Sequence, residues 1–311
     1  MITAVESIDA NRPFTWPTRR PLLTAEWRHL AMLNYAVDRA ILQPLVPPGT
    51  ELDDWNGESY ASVIGFQFLR TTFCGVPIPF HASFVEVNLR FYIRRRAPEG
   101  WRRGVAFIRE LAPSRSVALV ANLLYGERYL AVPMTHELVP GDGEVPRRLE
   151  YGWRYRGGSG RLTLEPTGEA LPLAEGSHEQ YIAEHYWGYS HHPRGGVEYE
   201  VAHPSWRYSP GRAASFECDH VAAVYGEPWV EALSGLPTSA FWADGSADRN
   251  ASTNLPATEG LICSSRKATP SGMMCGRPAT PYAASTRAAW RSGYLLLLAH
   301  QSPITSHQSP A

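Results

Sequence analysis

Glu86, Asn88 and Arg90 occupy every second position of one apolar run, and what they could do together depends on which way that run faces. Val85, Val87, Leu89, Phe91 and Ile93 alternate strictly with Glu86, Asn88, Arg90, Tyr92 and Arg94, which predicts a β-strand over 84–94 with one apolar and one polar face. If the polar face lines a closed interior, an acid, an amide and a cation share one chamber. A carboxyl held there against apolar walls has a raised pKa and can act as general acid or base. If the sheet is open, the same side chains face water and do nothing.

Two further groups carry chemistry. Ser114 is placed to cap a helix over 115–124, and the free N–H groups of its first turn, with Arg115 beside them, would hold an anion. The plain alternative is an ordinary cap and a solvated arginine. The stretch Glu184-His185-Tyr186-Trp187-Gly188-Tyr189, followed by His191, His192, His203 and Trp206, is dense in imidazole and aromatic rings. It can form a stacking pocket with a proton donor, or a plug that fills one end of the fold. Its histidines lack a recognised zinc spacing and no cysteine pair accompanies them, so no metal is expected.

What is missing is as informative. Residues 1–245 contain no lysine, and Lys267 is the only one in the chain, so imine chemistry from an amine is closed to the first 245 residues. A phosphate loop ending in Lys-Ser or Lys-Thr is excluded with it. Gly157 to Gly160 precede no helix and do not make a dinucleotide fingerprint, Gly-x-Ser-x-Gly does not occur, and nothing repeats at a fixed period.

The elements that must position these residues are mostly strands. Besides 84–94, strands are expected at 60–69, 105–111, 129–139, 149–156, 161–165, 197–203 and 213–218, with Gly157, Gly158 and Gly160 turning a hairpin. Helices are few and short: 39–45 after Asp38 and closed by Pro47 and Pro48, 115–124 after Ser114, and one from Ser177, whose capping box pairs it with Gln180. Many short-linked strands imply a barrel or sandwich.

Composition is that of an ordinary globular chain of 311 residues with formal net charge −1, so no overall field recruits nucleic acid or an anionic membrane. Basic charge is almost wholly arginine, a codon-usage effect or a means of gripping carboxylates. The start shows no basic region followed by an apolar run, and a cytoplasmic location is expected. The aliphatic run 295–299 is far too short to span a bilayer. Cys74, Cys218, Cys263 and Cys275 are widely spaced and support neither a disulfide framework nor a zinc knuckle; Cys74 and Cys218 read as small buried hydrophobes. From 246 onward Ser, Thr, Ala, Pro and Gly dominate without period, which reads as a low-complexity, disordered tail, or as out-of-frame translation after a late frameshift. An exposed strand edge would permit a homo-oligomer, with nothing to locate it.

Four segments carry a family resemblance: Trp27-Arg28-His29-Leu30-Ala31-Met32-Leu33-Asn34-Tyr35, Leu45-Val46-Pro47-Pro48-Gly49-Thr50-Glu51-Leu52, Val85-Glu86-Val87-Asn88-Leu89-Arg90-Phe91-Tyr92 and Glu184 to Tyr189. Together they resemble the YqjF-like family of uncharacterised bacterial proteins over about 22–245, flanked by an N-terminal arm at 1–21 and the tail at 246–311. More distantly that family is similar to acetoacetate decarboxylases. The resemblance implies a mainly β (α+β) fold, an antiparallel barrel with a central cavity and a few short helices. Glu86 matches an inward glutamate of those enzymes, and Arg109-Glu110-Leu111 matches a segment that precedes their Schiff-base lysine. At or beside the place of that lysine stands Arg115, which stays protonated and cannot attack a ketone.

The expected function is capture of a small, carboxylated organic molecule in a barrel cavity, with no cofactor and no imine. Asn88, Arg90, Arg115, His185, Trp187 and Tyr189 are the expected ligand contacts. The alternative is a lysine-independent lyase or hydrolase in which Glu86 or Glu110 moves a proton and Arg115 clamps the substrate anion.

Overall fold

The computed structural model describes residues 23–73, 75–78, 82–98, 100–192, 195–245 and 259–262. In chain order the strands are β1 (Leu23–Ala36), β2 (Glu51–Leu52), β3 (Tyr60–Phe73), β4 (Val76–Pro77), β5 (Phe84–Ala97), β6 (Gly100–Ala112), β7 (Tyr129–Ala131) and β8 (Met134–Val139). They continue as β9 (Arg148–Tyr155), β10 (Gly158–Pro166), β11 (Leu171–Pro172), β12 (Trp187–His192), β13 (Gly195–Ala202), β14 (Arg207–Cys218), β15 (Ser239–Gly245) and β16 (Glu259–Ile262). The helices are α1 (Arg39–Leu42), α2 (Arg115–Tyr125), α3 (His178–Ala183), α4 (Val221–Tyr225) and α5 (Pro228–Ala232). None of the described helices is long and apolar enough to cross a membrane.

The three expected caps form. Asp38 accepts from the N–H of Ala40 at 2.8 Å, Ser114 from Val117 at 3.3 Å and Ser177 from Gln180 at 3.1 Å, each satisfying a donor the helix itself cannot. The capping box at α3 is only half made, because the Gln180 side chain accepts from Gly176 instead of its own cap residue. Arg156 and Gly157, both with positive φ, turn the β9–β10 hairpin in the sense that strand twist favours.

All the strands join one mixed sheet, in the order β4-β3-β5-β6-β12-β13-β16-β1-β15-β14-β10-β9-β8. β1 also pairs with β3 along its length, which folds the path back on itself. The sheet is nonetheless not the closed antiparallel barrel expected. Its end strands β4 and β8 are not paired with each other, and β6 runs parallel to both β12 and β7. The β6–β7 pair is parallel because α2 forms the crossover between them. The run expected as one strand at 129–139 is two, β7 and β8, on different neighbours. β16 lies within the stretch read as low-complexity tail and bridges β1 and β13; Lys267, Cys74, Cys263, Cys275 and the run 295–299 are outside the described residues. Cys218 is half-buried and unpaired.

β5 is buried on both faces. Val85, Val87, Leu89, Phe91 and Ile93 pack into an aliphatic core with Leu149, Tyr151, Trp153, Leu162 and Leu164 of the β9–β10 hairpin. Each such side chain contributes about 2 kcal/mol of burial. Close approach of the hairpin is built in at Gly65, where a Cβ would lie 2.4 Å from the Tyr151 ring. The other face of β5 turns toward a second core, of Met32, Ile64, Phe66, Tyr181, Trp206 and Phe241 among others, and carries the polar residues inside with it.

Candidate functional site

The polar face of β5 points inward. Glu86 is 2% exposed and Asn88 3%, which removes the reading of a solvated open face. Glu110 joins them through a β-bulge in β6. Leu89 pairs with Arg109 and Arg90 with Phe107, so Ile108 is an extra residue with no partner opposite. Had the pairing run on unbroken from Phe107, Glu110 would share the face of Ala106 and Ile108, in the aliphatic core; with the bulge, Glu110 sits directly across from Asn88.

Two residues that sequence reasoning missed complete a carboxyl cluster. Glu127 follows Gly126, whose left-handed φ of 65° ends α2, and Tyr129 begins β7 in register with Glu110. The Tyr129 hydroxyl donates to Glu86 at 2.7 Å, and Asn88 donates to the other Glu86 oxygen at 3.0 Å. The Tyr199 hydroxyl, from β13, donates to Glu127 at 2.6 Å. Tyr199 reaches it because its ring lies over Gly188 of β12, where a Cβ would come within 2.1 Å. Glu110 Oε2 has no hydrogen-bond partner, and the Glu110 carboxyl interacts directly with Glu127 and Tyr129.

Burial raises the pKa of Glu86 and of Glu127 to about 7, against the opposing hydrogen bonds from Asn88, Tyr129 and Tyr199. Glu110 is pushed well above the usual carboxyl range, first by burial and then by the charges of Glu127 and Glu86. The three titrate as a unit, and at neutral pH the unit retains at least one proton. This is an interior acid with a carboxylate beside it, the combination general acid–base chemistry requires.

Arg90 and His185 form a separate group, about 13 Å along the strand from Glu86. Arg90 is half-buried, donates to the Ile182 carbonyl at 3.0 Å, and leaves its Nε without a partner. His185 is fully buried, 3.5 Å from Asp53, which Arg103 holds at 2.5 Å. Burial lowers the His185 pKa to about 4, so the ring is neutral at neutral pH. Tyr92, Ser62, Asn34 and Ser239 satisfy one another in a hydrogen-bonded chain nearby.

Trp187 is not at the carboxyl cluster, whereas Tyr189 lines a small cavity together with Glu127. Both pack into the aliphatic core, with Arg102 over the Trp187 ring at 4.2 Å. Trp206 stacks on His203 and edges against Trp27, filling the second core. Arg115 is exposed at the start of α2. Its replacement by alanine should change stability by less than about 0.5 kcal/mol and leave affinity for small carboxylates unaltered by calorimetry. A cavity of about 10 Å³ adjoins Glu127 beside Tyr189, Ser190 and His191. Among the described residues no group of three or more His, Cys, Asp or Glu is arranged to hold a metal ion.

A model of the DUF2071 family, described as an uncharacterized conserved protein, matches residues 24–247. The uncharacterized protein YqjF of Bacillus subtilis (strain 168) is 30% identical over 118 residues, which are 37% of this chain and 47% of that protein, so the match spans about half the relative's length. Among solved structures, an acetoacetate decarboxylase-like enzyme from Sphingomonas wittichii RW1 is similar at TM-score 0.52 and 16% identity, over 78% of this chain and 91% of that one. The enduracididine biosynthesis enzyme MppR, solved with pyruvate, has TM-score 0.52 and 11% identity over 82% and 93% of the two chains. Acetoacetate decarboxylase from Legionella pneumophila has TM-score 0.50 and 12% identity over 84% and 95%. Likeness at such identities is likeness of fold.

Proposed function

The chain belongs to the DUF2071 family of uncharacterized conserved proteins, and from that premise we propose that its interior binds a small carboxylated organic molecule without imine chemistry. The observation that carries the reading is a set of polar atoms without protein donors or acceptors on one inward face: Asn88 Oδ1, Arg90 Nε and Glu110 Oε2. Asn88 and Glu110 are cross-strand neighbours with Cβ atoms about 5 Å apart, and Arg90 stands about 7 Å further along the same face. A ligand carboxylate pairs with Arg90 while its carbonyl or hydroxyl oxygen meets the proton of the glutamate cluster. Arg90 and its partner Phe107 are half-exposed, which gives this end of the face access to solvent. Arg90 thus replaces Arg115 as the anion clamp. MppR, a protein of similar fold, is solved with pyruvate, a molecule of this class.

No lysine occurs within the family match, so any turnover proceeds by proton transfer from the glutamates, as in a lysine-independent lyase or hydrolase. The test is a thermal-shift and calorimetric screen of small oxo- and hydroxy-acids, pyruvate included, followed by mass spectrometry of each hit for product. Arg90→Met is expected to weaken a hit at least about tenfold, the loss of one charge-assisted hydrogen bond. Absence of any hit, or a hit indifferent to Arg90→Met, overturns the proposal. Product lost in Glu110→Gln with affinity kept identifies an enzyme; binding without consumption identifies a carrier.

A further inference from the structure

We infer that Glu127 is the route by which the buried Glu86–Glu110 carboxyls exchange protons with solvent. The inference rests on the reading that those carboxyls work as an acid and a base, and it adds the residue that recharges them. Glu127 differs from the other two in its setting. Glu86 and Glu110 are central strand residues, 2% and 3% exposed, whereas Glu127 sits in the turn after α2 and is 9% exposed.

On one side the Glu127 carboxyl lies within hydrogen-bond reach of Glu110. On the other side Glu127 lines a cavity of about 10 Å³ with Tyr189, Ser190 and His191 as polar neighbours and Ala106 and Ile108 as apolar ones, room for a single water. Arg128 and His191, which also line it, are exposed. Tyr199 fixes the carboxyl by one oxygen at 2.6 Å, so the group is held between the two sides. The step is a transfer alone: an O–H bond to the cavity water breaks as one to Glu127 forms, then the Glu127 O–H breaks as one to Glu110 forms. One proton moves inward, the hydroxide left outside takes a proton from bulk, and no other bond changes.

The measurement is hydrogen–deuterium exchange of the buried carboxyl C=O stretch by infrared spectroscopy, on the full chain without ligand after transfer to D2O. Glu127→Gln should slow that exchange at least about tenfold at unchanged secondary structure, the size expected when a positioned proton carrier is removed. Ser190→Val, which fills the cavity and leaves all three carboxyls in place, should slow it as well. Exchange at the wild-type rate in a folded Glu127→Gln protein, or in Ser190→Val should Glu127→Gln not fold, overturns the inference. Because no ligand is present, this result and the ligand screen above can fail independently.

Discussion

Raising the pH from about 5 to about 8 will remove on the order of 3 kcal/mol of stabilisation contributed by the buried glutamate cluster, the linkage value of one buried carboxyl, read as the difference between the wild-type chain and Glu110→Gln. Glu86, Glu110 and Glu127 all have pKa values raised by burial, Glu86 and Glu127 to about 7. In the unfolded chain a glutamate loses its proton near its ordinary value of 4.5. Between the two values the folded state holds protons the unfolded state has released. Their stabilisation is complete below the unfolded value and drains away as pH rises through the folded one. Because the carboxyls are coupled, the loss belongs to the cluster and not to three independent groups.

The acid side is set by different residues. Burial lowers His185 and His203 to about 4, so the stability they contribute is present above the ordinary histidine value and is lost as pH falls toward 4. Between about 4.5 and 6.5 the two contributions oppose each other, so the carboxyl arm shows as a net fall in stability only above the ordinary histidine value of 6.5. Glu110→Gln keeps the shape of the side chain without its titration, and should flatten the alkaline arm while leaving the acid arm in place. Urea unfolding across the range measures both. An alkaline arm equally steep in Glu110→Gln would remove the basis for a proton-retaining cluster.

The second large effect is expected at a residue with no functional group. Gly188→Val should destabilise by about 3 to 5 kcal/mol, combining overpacking with the loss of a buried hydrogen bond. The Tyr199 ring occupies the space of the missing Cβ, at 2.1 Å, and cannot yield without withdrawing its hydroxyl from Glu127. The clash has a direct check: Tyr199→Ala in the same chain should recover part of the loss, because the two residues are in contact and their effects do not add. Gly143→Ala, at a position with no atom within 4 Å, is the control and should change little. Full additivity of Gly188→Val and Tyr199→Ala would show that Gly188 does not position Tyr199.

The legible parts of this structure are those in which local chemistry and tertiary environment agree. β5 shows its two faces as strict alternation, and the caps at Asp38, Ser114 and Ser177 announce their helices because the capping group lies within three residues of what it satisfies. β1 is different. Ala31, Met32 and Leu33 are all fully buried, so the strand reads as an apolar run without a period and shows in the sequence only as a family segment. β12 and β15 carry no strand period in the sequence for related reasons: Gly188 interrupts the former, and the latter is a short run with Phe241, Trp242 and Ala243 all buried. Family and fold were accessible from segments. Closure was not, since strand neighbours distant in sequence decide it.

The same division runs through the candidate site. From its sequence alone the chain determines that no amine serves the family-matched region, that Glu86, Asn88 and Arg90 share one face, and that the fold is strand-rich. These follow from residue identity and from the period of two. Only the tertiary structure decides that this face is dry, that a bulge at Ile108 swings Glu110 onto it, that a turn residue, Glu127, reaches the same cluster, and that Arg115 and Trp187 do not. A one-residue slip in pairing reverses which side of the sheet a carboxyl enters, and the cost of burying it depends on every strand packed around it; neither quantity is written in the residue's immediate neighbours.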